Sequence, residues 1–234
     1  MPPDRKNSRS MPAARILDRD SDNLLMIAPI AAADRAGPRL RGLYPVDEGA
    51  EGRGAAFLTA RALAMRGMRI LGQAPVPLSA RADAPPDWGA GMGGSISYAA
   101  QQVGVWLCRD ATRSPGLNLM RTGDPPDQQA PEEIALLDRL PGLARMTRPE
   151  RLAAAQSARR ALAKALWPRV GAGLAPGCAV VVPAQQSGIT LSLTRGIGPG
   201  LESGMLFRVE LRVFPDLVLT RISVPRRADP RCWH

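Results

Sequence analysis

Apolar and polar positions along this chain of 234 residues change period several times. Residues 1–21 are polar, charged and breaker-rich, and read as a flexible lead-in. Residues 24–33 (LLMIAPIAAA) form a short apolar run with a proline inside, which fits a strand better than a helix. From 54 to 71 the pattern turns helical: Phe57, Ala60, Leu63 and Ala64 share one face, and Arg61 and Arg66 lie away from its centre. Gly72 and Pro75 end that segment, and residues 73–94 are a Pro- and Gly-rich loop. Residues 95–98 and 103–108 are short strands, with a third at 117–120.

A Pro/Asp/Gln loop over 123–131 precedes a helical stretch at 132–140, where Glu132 and Glu133 favour a helix N-terminus. A stronger helix spans 149–167, with Pro149 and Glu150 suited to its first turn and Pro168 predicted to stop it. Beyond it the period becomes that of strands: 178–182, 189–193, 205–213 and 217–224 are apolar or β-branched runs between Gly/Pro turns. Helix and strands thus occur about twice over. The expected fold is α+β, two similar halves that each pack a small, mostly antiparallel sheet with helices, divided as 22–115 and 116–234.

Composition narrows the partners only a little. The formal net charge is +10, and Lys occurs only at Lys6 and Lys164, every other basic residue being Arg. An anionic partner suits such a balance. The single histidine, His234, excludes His-based triads and His-rich metal sites. Cys108, Cys178 and Cys232 are too few and too scattered for a disulfide framework or a zinc cluster, and Cys108 reads as a small buried hydrophobe. No apolar run approaches the ~20 residues of a membrane span, and residues 1–20 carry no signal-peptide core. With 4% aromatics and no recognition module, nucleic-acid binding is not expected. The chain reads as a cytoplasmic monomer.

Four segments, taken in order, resemble 4′-phosphopantetheinyl transferases of the enterobactin/surfactin synthetase type. Residues 53–61 (RGAAFLTAR), running on to Leu71 and Gly72, match a basic residue followed by E-F-L-A-G-R and a closing Leu-Gly. Residues 94–98 (GSISY), after Pro86 and Trp88, are similar to P-x-W with G-S-I-S-H. Residues 116–120 (GLNLM) stand in the place of G-I-D-I-E. Residues 157–168 (SARRALAKALWP) stand in the place of S-A-K-E-S-L-Y-K-A-L-F-P. The resemblance implies a pseudo-dimer with coenzyme A in the cleft between its halves. It also implies Mg²⁺ on the diphosphate and transfer of the phosphopantetheine arm to a carrier-protein serine.

On that resemblance Arg53, Arg61, Arg66, Ser95, Tyr98, Arg159, Arg160 and Lys164 are the candidate coenzyme A contacts. The positions of the metal-binding and catalytic carboxylates hold Asn118, Met120 and Arg160. A thioether is a poor Mg²⁺ ligand and a guanidinium repels the ion, so Mg²⁺ is not expected, and neither is Mg²⁺-dependent transfer. Arg160 would instead neutralise a diphosphate itself. The implied protein binds coenzyme A or a phosphopantetheine arm beside a nonribosomal-peptide, polyketide or siderophore synthetase. Its chemistry would be metal-independent acyl transfer or cyclisation of a carrier-bound thioester, with Tyr98, Asn118, Arg160 and Lys164 as the available polar groups.

Two alternatives stand beside it. One is a non-catalytic pseudoenzyme that docks an acidic acyl or peptidyl carrier protein. The other is a working transferase whose metal ligands are displaced to Asp110, Asp124 or Asp127. Without the resemblance, Arg61 and Arg66 read as solvated charges, Tyr98 as a strand-end ring and Met120 as core. Arg159, Arg160 and Lys164 then read as an exposed basic face.

Overall fold

The computed structural model describes residues 14–30, 51–78, 85–124, 131–183 and 188–226. Among these are nine strands: β1 (Arg15–Arg19), β2 (Asn23–Pro29), β3 (Gly93–Ala99), β4 (Gln102–Cys108), β5 (Arg113–Arg121), β6 (Ala179–Val182), β7 (Ile189–Leu193), β8 (Leu206–Phe214) and β9 (Leu217–Pro225). The helices are α1 (Glu51–Ile70), α2 (Pro131–Arg139) and α3 (Arg148–Val170), with a 3₁₀ turn at Pro141–Leu143. The first four strands form an antiparallel sheet of order β1-β2-β4-β3, and the other five form a second of order β5-β9-β8-β7-β6.

Three apolar clusters stack these elements into layers. α1 covers one face of the first sheet, where Leu63, Ala64 and Met68 meet Leu24, Met26, Val105 and Leu107. The opposite face, with Leu25, Ile27 and Trp106, packs on Leu117, Leu119, Leu217 and Leu219 of the second sheet. α3 covers the second sheet's far face through Ala158, Ala161, Leu162 and Ala165 against Val218, Ile222 and Val224. The strand period explains this sharing: Leu117 and Leu119 point to one side of β5, Asn118 and Met120 to the other. Each helix lies over a similar motif. β2 precedes α1 and pairs with β4, the last strand of its sheet; β5 precedes α3 and pairs with β9, the last of its own.

The expected α+β class and the antiparallel sheets are found. Three details differ from the sequence pattern. β1 lies within the stretch read as a lead-in, because Arg15 to Arg19 pair with β2 as an edge strand whose Ile16 stays exposed; residues 1–13 lie outside the described residues. Pro168 does not stop α3, which runs on to Val170 and ends at Gly171 with φ 70°. A proline in the last turn forfeits one hydrogen bond but keeps a helical φ, and the left-handed glycine makes the actual end. Glu133 does more than favour a helix start: it pairs with Arg159 and accepts from the Val181 amide at 3.3 Å.

Candidate functional site

α3 approaches β5 closely because the facing side chains are small. A Cβ on Gly116 would lie 2.0 Å from the Ala161 carbonyl oxygen, so only glycine fits there. This proximity lets α3 side chains reach through to the line where the edge strands β3 and β5 meet. Lys164 does so. Its Nζ donates to the Ile96 carbonyl of β3 at 3.1 Å, the Leu117 carbonyl of β5 at 2.9 Å and Asn118 Oδ1 at 3.2 Å. Three acceptors match the three N–H bonds of an ammonium. Burial first, and the charge of Arg160 second, push the Lys164 pKa down to about 7.

β3 and β5 are joined here by side chains. Ser95 Oγ accepts from the Leu117 amide and Ser97 Oγ from the Leu119 amide, both at 2.9 Å. Asn118 lies at the centre of the same network. Its Oδ1 accepts from Ser97 Oγ at 3.3 Å as well as from Lys164, and its Nδ2 donates to the Leu119 carbonyl at 3.1 Å and to Ser157 Oγ at 3.0 Å. Ser157 Oγ in turn shares a 2.7 Å hydrogen bond with Thr220 Oγ1. Ser95, Ser97, Asn118, Ser157 and Thr220 are all buried, and a buried polar network of this kind is stable only when its members satisfy one another.

The fit to a metal ion is poor. Asn118 already uses its carbonyl oxygen for two hydrogen bonds, Met120 is part of the apolar core under α3, and Arg160 is an exposed cation. Among the described residues, no group of three or more His, Cys, Asp or Glu is placed to hold a metal. Asp110 is tied to Thr112, Asp124 follows β5 in an exposed turn, and Asp127 lies outside the described residues.

The remaining candidates divide between two places. A cavity of about 180 Å³ is lined by Lys164, Trp88, Gly94, Pro115 and Arg226 among others. Gly94 is required beneath Trp88, whose ring would lie 2.5 Å from a Cβ. Arg226 spans the two sheets, donating to the Met92 and Arg113 carbonyls at 2.9 and 3.1 Å. Arg61 and Tyr98 form a separate pair on the α1 side. Arg61 is only 5% exposed and stacks 4.3 Å from the Phe57 ring centroid, which corrects its reading as a solvated charge. Its guanidinium hydrogen-bonds the Tyr98 phenol; desolvation raises the phenol's pKa, and the Arg61 charge and hydrogen bond pull it the other way.

Arg66 is exposed on α1, and the side chain of Arg53 lies outside the described residues. Arg159 is held by Glu133 and by the Ala179 carbonyl at 2.9 Å. Cys108 and Cys178 are buried free thiols, and burial raises the pKa of Cys108; Cys232 lies outside the described residues. Sequence reasoning missed Ser97, Ser157 and Thr220 as members of the site. Polar residues at core-facing strand and helix positions were the available signal. No described helix is long and apolar enough to cross a membrane.

Residues 46–106 match the family model of the 4′-phosphopantetheinyl transferase N-terminal domain. That segment contains α1, the Trp88 turn, β3 and most of β4. No curated protein matches the chain.

Proposed function

We propose that the chain is a phosphopantetheinyl transferase-like protein, a pseudo-dimer that binds coenzyme A or a carrier protein's phosphopantetheine arm without Mg²⁺. The match over residues 46–106 supports the family, and the repeated placement of a strand, a covering helix and a returning strand supports the two-half reading. One observation carries the departure from transfer chemistry. Asn118, at the position of a metal ligand, has both polar atoms of its side chain committed inside the protein, and the nearest charged partner is the Lys164 ammonium. With a pKa of about 7 the lysine carries its charge in part of the population at neutral pH, and in that form it repels a second cation.

The 180 Å³ cavity beside Lys164 and Arg226 suits a diphosphate or part of a pantetheine arm. Positive charge close by favours phosphate, with Lys164 acting through its charge while its N–H groups remain on the protein. Arg160, one turn from Lys164, supplies further cationic field. Arg61 and Tyr98 offer a second polar group along the same strand, two residues beyond the Lys164-bound Ile96. The reaction that fits this inventory is acyl transfer or cyclisation of a carrier-bound thioester in a nonribosomal-peptide, polyketide or siderophore pathway. It needs orientation and an oxyanion partner but no metal.

A docking role without chemistry is favoured by the +10 net charge, which speeds encounter with an acidic carrier protein. The test of the departure from transfer is intact-mass spectrometry of an apo carrier protein incubated with this protein, coenzyme A and Mg²⁺. No gain of a phosphopantetheine mass is expected. Any holo product restores the ordinary transferase.

A further inference from the structure

We infer that the cavity beside Lys164 holds a carboxylate on a short apolar body, either a small organic acid or the carboxylated acyl end of a thioester. The inference rests on the reading of this cavity as the ligand site, and it assigns the interior to the acyl group rather than to a diphosphate. Ser114 is the residue that points to an occupant. Four serines are buried among the described residues: Ser95, Ser97, Ser114 and Ser157. The hydroxyls of Ser95, Ser97 and Ser157 are each hydrogen-bonded. That of Ser114, a residue 4% exposed in the cavity wall, has no partner among the described residues. A buried hydroxyl left without a partner calls for one. Its oxygen is not sealed in, unlike the unpartnered indole nitrogens of Trp88 and Trp106, so a ligand can reach it. Ser114 lies on the α3 side of β5, as Gly116 does. The close approach at Gly116 brings Lys164 and Pro168, one turn apart on α3, to the same cavity.

The charge in the lining is of one sign and uncompensated. Arg226 commits Nε and Nη2 to the Arg113 and Met92 carbonyls, and its Nη1 has no partner among the described residues. Lys164 has only neutral acceptors. Neither pairs with a carboxylate among the described residues. Asp87, the acidic residue of the lining, is exposed and accepts from the Gly89 amide. The two oxygens of a carboxylate match the two free donors, the Ser114 hydroxyl and Arg226 Nη1. Its charge beside Lys164 favours the protonated lysine. Trp88, Met92, Pro115 and Pro168 make much of the remaining wall. A phosphate carries a third oxygen, which would meet that apolar wall without a partner. The room is also that of a small acid: a cavity of ~150 Å³ holds one benzene ring, or about six carbons.

The test is calorimetric titration of the full chain with hexanoate, set against 1-hexanol, hexylamine and inorganic phosphate. Hexanoate should bind to saturation, and each of the others more weakly by about tenfold or more. Ser114→Ala removes only the hydroxyl, and should weaken hexanoate binding about tenfold while leaving the melting temperature in place. Arg226→Gln should weaken it further; if that variant does not fold, Ser114→Ala decides alone. Trp88→Phe should abolish the change in tryptophan fluorescence that hexanoate produces. Phosphate or hexanol binding as tightly as hexanoate, undiminished affinity in Ser114→Ala, or no hexanoate binding at all overturns the assignment. Glutaryl-coenzyme A titrated beside coenzyme A separates the two sources. Tighter binding of the glutaryl form identifies the acyl end of a thioester, and equal binding a free acid. If hexanoate binds and neither form of coenzyme A does, the coenzyme A reading fails and the acid site stands.

Discussion

The two long helices cover their sheets in different ways. α1 meets the first sheet through Leu63, Ala64 and Met68, and a Cβ on its Gly67 would meet the flexible ends of Met26 and Leu107. α3 meets the second through alanines, and at Gly116 its own backbone oxygen takes the place of a side chain. The first contact is ordinary apolar packing that can give. The second is rigid and close, and the buried polar groups, Ser157, Asn118 and Thr220, collect beside it. Close backbone approach is thus what delivers Lys164 from α3 to acceptors on two strands.

The largest effect should separate these two contacts directly. Gly116→Ala forces a Cβ to within 2.0 Å of the Ala161 oxygen, and should lower stability by about 3 kcal/mol or more. Gly67→Ala meets only side-chain ends, at 2.4 and 2.6 Å, and gains helix propensity of about 1 kcal/mol, so its net change should be near zero. Denaturant midpoints of the two variants measure the difference; equal losses would mean that the contacts are alike.

Lys164→Met leaves two carbonyls and Asn118 Oδ1 without the lysine's hydrogen bonds, and should cost about 2 kcal/mol near neutral pH. It should also change the pH dependence. The folded lysine loses its proton from about 7, whereas the unfolded one holds it to its ordinary value of 10.5. Between those values the unfolded chain binds more protons, so stability rises with pH in the natural protein and loses that slope in Lys164→Met. Urea melts across the window, compared between the two proteins, would reveal an unchanged slope if the lysine titrates normally. A smaller effect, about 1 kcal/mol, is expected for Ser97→Ala, which frees the Leu119 amide and removes one donor to Asn118.

Much of this architecture is written in local periodicity. The apolar spacing of 54–71 and 149–167 marks both long helices, and the β-branched runs after residue 178 mark four strands. β1 escapes because Arg15, Asp18 and Arg19 leave only two apolar residues in a five-residue edge strand. The end of α3 escapes because a proline in the last turn looks like a stop although the backbone tolerates it. The site is less legible. Asn118, Met120, Arg160 and Lys164 stand out once the resemblance is seen, but Ile96 and Leu117 enter through backbone oxygens, which no side-chain pattern reports. Arg61 misleads for a related reason: Phe57, one turn away, and Tyr98, on a distant strand, make a charged position a buried one.

The central claim is that the protein's own groups occupy the cation position, so that coenzyme A binds without a divalent ion. Calorimetric titration with coenzyme A, once in excess EDTA and once in Mg²⁺, tests it most directly. The account predicts the same affinity in both. Binding that appears only with Mg²⁺, or no binding in either buffer, would contradict it.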